Sequence, residues 1–107
     1  MSEEKRAKII SLIRDTIREA EPTAQIILYG SRARGDAHED SDYDLLLLLD
    51  KERVTNEDYN RYVYDLFLQG LDWDAEINTH IYPRHKWESW SFSPFYKNVE
   101  HDKIILL

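Results

Sequence analysis

Cysteine is missing from this chain altogether, which excludes a disulfide framework and any thiolate chemistry. No apolar run approaches the roughly 18 residues that a membrane-spanning helix needs, so no membrane partner is expected. The start, Met1-Ser2-Glu3-Glu4-Lys5, is polar and lacks the apolar core of a signal peptide, and a cytoplasmic protein is the simplest expectation. Basic side chains are scarce: 14 Lys and Arg stand against 21 Asp and Glu, for a net charge of -7. Affinity for a phosphate backbone rests on a basic patch, and Arg32 and Arg34 form the only close arginine pair, so a nucleic-acid partner is not expected. The surplus acid serves either solubility or a basic protein partner. The histidines, at 38, 80, 85 and 101, show no metal-ligand spacing such as H-x-x-x-H. There is no internal repeat and no low-complexity tract.

What is present fits one small domain over residues 1–107, with 42% hydrophobic and 33% charged residues. Ser2 to Ala20 reads as an amphipathic helix, with Ile9, Ile13, Ile17 and Ala20 on one face, Ile10 and Leu12 beside it, and Pro22 closing it. Ala24 to Tyr29 is a short apolar strand, and Asp36 to Ser41 a polar loop. Thr55, with Asp58 three residues on, resembles a helix-start box. Tyr59, Tyr62, Val63, Leu66 and Phe67 then form a core-facing stripe, and Gly70 is a natural stop. Asp74 to Tyr82 alternates: Ala75, Ile77, Thr79 and Ile81 on one face, Asp74, Glu76, Asn78, His80 and Tyr82 on the other. Pro83 to Trp90 suggests a short helix, and Ser93-Pro94 starts another that runs to about Glu100. This alternation predicts an α/β (α+β) fold: a short mixed sheet with helices packed mainly on one face.

The richest stretch is Tyr29-Gly30-Ser31-Arg32-Ala33-Arg34-Gly35, followed by Ser41-Asp42-Tyr43-Asp44 and five leucines from Leu45 to Leu49. Gly30 permits a sharp turn and close approach of backbone to a ligand. Ser31 offers a hydroxyl at a helix start, where orphan N–H groups and the dipole favour anions. Arg32 or Arg34 can add charge-assisted bonds to phosphate oxygens. Asp42 and Asp44, two apart on a strand, share one face, with Tyr43 pointing away into packing. Paired carboxylates repel unless a cation lies between them, and Mg²⁺ suits that place because it takes oxygen ligands and substrate phosphates. The leucine run describes a central strand covered on both faces, which holds the acids rigidly at its start.

In these residues the chain resembles the minimal nucleotidyltransferases of the DNA polymerase β superfamily. Gly30-Ser31 matches that family's Gly-Ser, Asp42 and Asp44 its Asp-x-Asp, and the match is most specific over Ile27 to Asp50. The resemblance implies a nucleotidyltransferase fold, a scaffold of three acids, two Mg²⁺ ions, and a nucleoside triphosphate, with ATP expected. It also implies a frequent setting, an antitoxin that adds AMP to a tyrosine hydroxyl of a HEPN-domain toxin. The rival reading is a non-catalytic antitoxin that neutralises its toxin by contact alone.

The alternating strand offers the third acid that the resemblance implies. Glu76, further inside it, is preferred as catalytic and metal-binding residue beside Asp42 and Asp44, with Asp74 as the alternative and a surface role for both as the third. Many family members carry Asp at this point. His80 shares the polar face and either lines the site or plays a structural part. Trp87, Trp90, Phe92, Phe95 and Tyr96 either cover the sheet as core or present a partner or dimer surface.

Overall fold

The computed structural model describes residues 2–38 and 41–107. Met1, and Glu39 and Asp40 of the polar loop expected over 36–41, lie outside the described residues. Helix α1 (Ser2–Ala20) carries Glu3 and Glu4 in its first turn and Arg18 in its last, matching its dipole. Ile9, Ile13 and Ile17 are fully buried, whereas Ala20 is exposed. The buried stripe ends one turn early, at Ile17, although the helix itself runs on through Ala20 and the Glu21 N–H still donates to the Ile17 carbonyl at 2.7 Å.

Strand β1 (Gln25–Tyr29) leads into the one-turn helix α2 (Ser31–Arg34), and β2 (Tyr43–Leu49) returns antiparallel to β1, pairing Tyr29 with Asp44. Next, α3 (Asn56–Tyr59), a π-helical run (Asn60–Asp65) and α4 (Leu66–Asp72) form one continuous helical rod. Strand β3 (Ile77–Pro83) lies parallel to β2 and pairs Asn78 with Asp44. Helix α5 (Arg84–Trp87), a 3₁₀ turn (Glu88–Trp90) and α6 (Pro94–Asp102) precede β4 (Ile104–Ile105), which pairs with β1. The four-stranded mixed sheet has the order β3-β2-β1-β4, so β3 is an edge.

The leucine run makes the two faces. Leu45, Leu47 and Leu49 pack with Ile26, Leu28, Ile77 and Ile81 under α1 and the rod, meeting Ile13, Ile17, Tyr62 and Leu66. Leu46 and Leu48 face the other way and pack with Ile27, Trp87 and Val99. All five leucines are at most 3% exposed, and full burial of each contributes about 1.5–3 kcal/mol. The long α1 and the rod thus take one face, and the short C-terminal helices cover the other. Of the C-terminal aromatics, Trp87 is buried and Phe95 and Tyr96 pack against this second layer, whereas Trp90 and Phe92 stand exposed with their rings stacked.

Three expectations about the rod and strand need correction. The start box at Thr55 and Asp58 forms as expected, each side chain accepting from the other's backbone N–H. Tyr59, however, is exposed, because the π-helical run changes the phase of the stripe and keeps only Tyr62 and Leu66 fully under. Gly70 does not stop the helix, which continues to Asp72. Its lack of a side chain serves packing instead: a Cβ there would lie 2.8 Å from Ile77 Cδ1. Finally, β3 starts only at Ile77, because Asp74 adopts a left-handed φ of 58°, which breaks the alternation expected from Asp74 onward.

Candidate active site

The site grows from one close contact between neighbouring strands. Gly30 follows Tyr29 at the end of β1 with φ 78° and ψ -161°, a conformation open essentially to glycine alone. A Cβ on Gly30 would lie 2.5 Å from Asp44 Oδ2. The glycine therefore does two things: it makes the turn, and it gives room for the Asp44 carboxylate beside the turn. Ser31 begins α2 at once, and the Ala33 and Arg34 N–H groups donate back to the Gly30 carbonyl at 3.0 Å. The Gly30 N–H is itself engaged by the Asp102 carboxylate. His101, Arg34 and that N–H hold Asp102 below the usual carboxylate range despite its burial.

Asp42, Asp44 and Glu76 form an open chain with Asp42 in the middle. Asn78 Nδ2 donates to Asp42 Oδ2 at 2.9 Å. Burial and the charge of Asp42 push the Asp44 carboxyl above its ordinary value, opposed by His80, Arg34 and a hydrogen bond from Asn78. A hydrogen bond with Asp42, and the repulsion between them, raise Glu76 as well. The backbone explains why Glu76 arrives there: the Tyr43 N–H donates to the Glu76 carbonyl at 2.8 Å, extending the β2–β3 pairing by one step. Asp74 goes elsewhere. Its left-handed backbone takes it to Lys5 on α1, with Nζ to Oδ2 at 2.9 Å.

Among the described residues no three acid or imidazole groups lie close enough, as they stand, to enclose a metal ion. The chemistry of the donors nonetheless fits a divalent cation. They are hard oxygens, two of them are made less acidic by the third, and a cation between them would relieve that repulsion.

The arginines are occupied within the fold. The Arg32 guanidinium lies 4.4 Å from the centre of the buried Tyr43 ring and donates to the Ser41 carbonyl at 2.9 Å, which braces the loop before β2. Arg34 joins exposed Asp36 at 3.2 Å and buried Asp102 at 2.8 Å. Two neighbours of the acids carried little sequence signal. Asn78 showed only as a polar position in the alternation. Tyr29, expected merely to end a strand, places its hydroxyl 3.1 Å from His80 Nδ1. Burial and the charges of Asp44 and Tyr82 push this phenol well above its ordinary value, so it stays protonated.

A glycine turn against a strand that starts with paired acids, on a four-stranded mixed sheet, agrees with what comparison with known proteins gives. A model of the nucleotidyltransferase domain matches residues 10–106, and the chain belongs to this family. No curated protein matches it. In fold it is similar to a chain solved in "Crystal structure of the toxin-antitoxin with AMP-PNP", at 19% identity and a TM-score of 0.64, covering 92% of this chain and 72% of that one. At such identity the likeness speaks for the fold alone. Among the described residues no helix is long and apolar enough to cross a membrane.

Proposed function

We propose that residues 1–107 act as one Mg²⁺-dependent nucleotidyltransferase domain that transfers AMP from ATP to a protein hydroxyl. The acceptor in this reading is a tyrosine of a cognate HEPN-domain toxin, and the protein is its antitoxin. The observation that carries the proposal is the seating of Asp44 against Gly30, with Asp42 and Glu76 continuing the row of acids. Membership of the nucleotidyltransferase family supports the transfer. The structural neighbour, a toxin-antitoxin solved with AMP-PNP, supports the setting.

In this reading Gly30 and Ser31 hold the terminal phosphates. Arg34 keeps its pair with buried Asp102 and exchanges exposed Asp36 for a phosphate oxygen. Arg32, stacked on Tyr43, braces the turn rather than reaching out. Asp42, Asp44 and Glu76 would hold Mg²⁺, which would supply positive charge to offset the negative charge that builds up during displacement at phosphorus. Asn78 orients Asp42, and the rigid β2 strand fixes the spacing, so positioning and electrostatics supply the rate.

The test is an incubation of a HEPN-domain toxin with the chain, ATP and Mg²⁺, followed by intact mass. A gain of AMP units that Asp42→Asn abolishes is the expected result. An unchanged mass, with protection that survives Asp42→Asn and vanishes on separation, moves the conclusion to a contact-only antitoxin. The exposed, stacked Trp90 and Phe92 are the feature that favours this second reading.

A further inference from the structure

A cleft of about 510 Å³ opens beside Asp44 at the β3 edge of the sheet. Its walls are Val63, Tyr64 and Phe67 from the rod, and Thr79 and His80 from β3. That size lies within the roughly 300–1,000 Å³ of small-ligand pockets. Thr79 is 7% exposed, and its Oγ1 has no hydrogen-bond partner among the described residues. A buried hydroxyl without a protein partner is unfavourable, and an incoming polar group at this place gains a bond with it.

Direction comes from the order of the strands. The Gly30–Ser31 turn follows β1, the acids start β2, and the cleft lies along β3 on the far side. In-line displacement at phosphorus requires the attacking oxygen opposite the leaving one. If pyrophosphate leaves on the β1 side, as the proposed function has it, the acceptor must arrive from the β3 side, where this cleft meets Asp44.

We propose that the cleft between β3 and the helical rod binds the acceptor, an aromatic hydroxyl side chain, with its ring against Tyr64 and Phe67 and a polar bond to Thr79 Oγ1. This rests on the transfer reading above and names its acceptor site. The lining holds aromatic and branched side chains, one carboxylate and neither Lys nor Arg, which suits a phenol on a protein and not a phosphate-bearing nucleic acid. In the step itself the phenol oxygen forms a bond to the α-phosphorus while the bond between that phosphorus and the β-bridging oxygen breaks. Pyrophosphate leaves, and the phenol proton passes to Asp44, the one carboxylate that lines the cleft, and then to water.

Two measurements test this. First, the full chain without nucleotide is titrated with N-acetyl-L-tyrosinamide and, separately, N-acetyl-L-serinamide, with amide and methyl spectra followed by NMR. Shifts centred on Val63, Tyr64, Phe67 and Thr79 with the tyrosine analogue alone are expected, and Tyr64→Ser weakens the binding about tenfold. Shifts centred elsewhere, or the same with both analogues, overturn the proposal. Second, with ATP and Mg²⁺, AMP-tyrosinamide is measured by mass. Thr79→Val is expected to raise the acceptor KM about tenfold while the ATP KM holds, and an unchanged acceptor KM overturns the proposal. Asn98→Ser, on an exposed residue outside the cleft, is the control. If no adduct forms with any acceptor the transfer reading fails, and the titration still decides whether the cleft takes a phenol.

Discussion

Gly30→Ala is the sharpest perturbation of the site, because two separable costs meet at one atom. The backbone at φ 78° and ψ -161° is a glycine conformation, and holding another residue there costs about 1–3 kcal/mol. The new Cβ would also stand 2.5 Å from Asp44 Oδ2 and 3.4 Å from its Cγ. The carboxylate must move, or β1 and β2 must separate at the Tyr29–Asp44 pair, and overpacking of this kind costs about 1–3 kcal/mol more. For a domain of this size each kcal/mol lowers Tm by about 4–8 °C, so Gly30→Ala should lower it by at least about 8 °C. Calorimetric melts of the wild type, Gly30→Ala, Asp44→Ala and the double variant form a cycle. Removing the Asp44 carboxylate should return the collision part, a coupling of about 1–3 kcal/mol, and leave the backbone part. A Gly30→Ala protein melting within about 2 °C of wild type, or strictly additive effects, would refute the contact between turn and acid.

Three further outcomes follow from the same geometry. Asp42→Asn removes the charge that raises both Asp44 and Glu76, so melts in EDTA should show a higher Tm, while added Mg²⁺ should no longer stabilise and transfer should be lost. Glu76→Gln should weaken Mg²⁺-dependent ATP binding in calorimetry, whereas Asp74→Asn, which loses only an exposed pair with Lys5, should leave it intact; the reverse result would make Asp74 the third ligand. Asp58→Asn tests the start of the rod: burial alone would raise Asp58, but Lys51 and the Thr55 cap hold it below 3.8. Between its depressed folded value and 3.8 the unfolded chain binds more protons, so the stabilisation is present above 3.8 and is lost as pH falls through the folded value. Asp58→Asn should therefore cost about 1 kcal/mol at pH 7, in the range of helix caps, and converge with wild type in acid melts.

The elements with strong local chemistry were legible in the sequence. The spacing of Ile9, Ile13 and Ile17, the Thr55 box, the Ser93-Pro94 start and the leucine strand all fold as read, because each is set by contacts within a few residues or by burial on both faces. The misreadings share a cause that pattern does not carry. Tyr59 turns outward because the rod changes its hydrogen-bond step in the next turn. Gly70 reads as a stop until Ile77, seven residues on, is seen to need the space. The partners that Arg32 and Arg34 hold within the fold, Tyr43, Ser41 and Asp102, were equally out of sight of the sequence, because they lie on other elements.

The choice between Asp74 and Glu76 shows how narrow that limit is. Simple alternation put both on one polar face, and nothing in composition separated them. What separates them is one backbone angle: with φ at 58°, Asp74 belongs to the turn after the rod and reaches α1, while Glu76, two residues later, already shares a backbone hydrogen bond with Tyr43 and lies against Asp42. That turn is held by the Gly70 carbonyl, which accepts the N–H groups of both Trp73 and Ala75 at 2.9 Å, and the missing Cβ of Gly70 lets Ile77 pack against it. The position of Glu76, the proposed third acid, therefore depends on a glycine six residues before it and on the close packing that glycine permits. A Gly70→Ala change should accordingly disturb Mg²⁺-dependent nucleotide binding as well as stability, although Gly70 carries no functional group of its own.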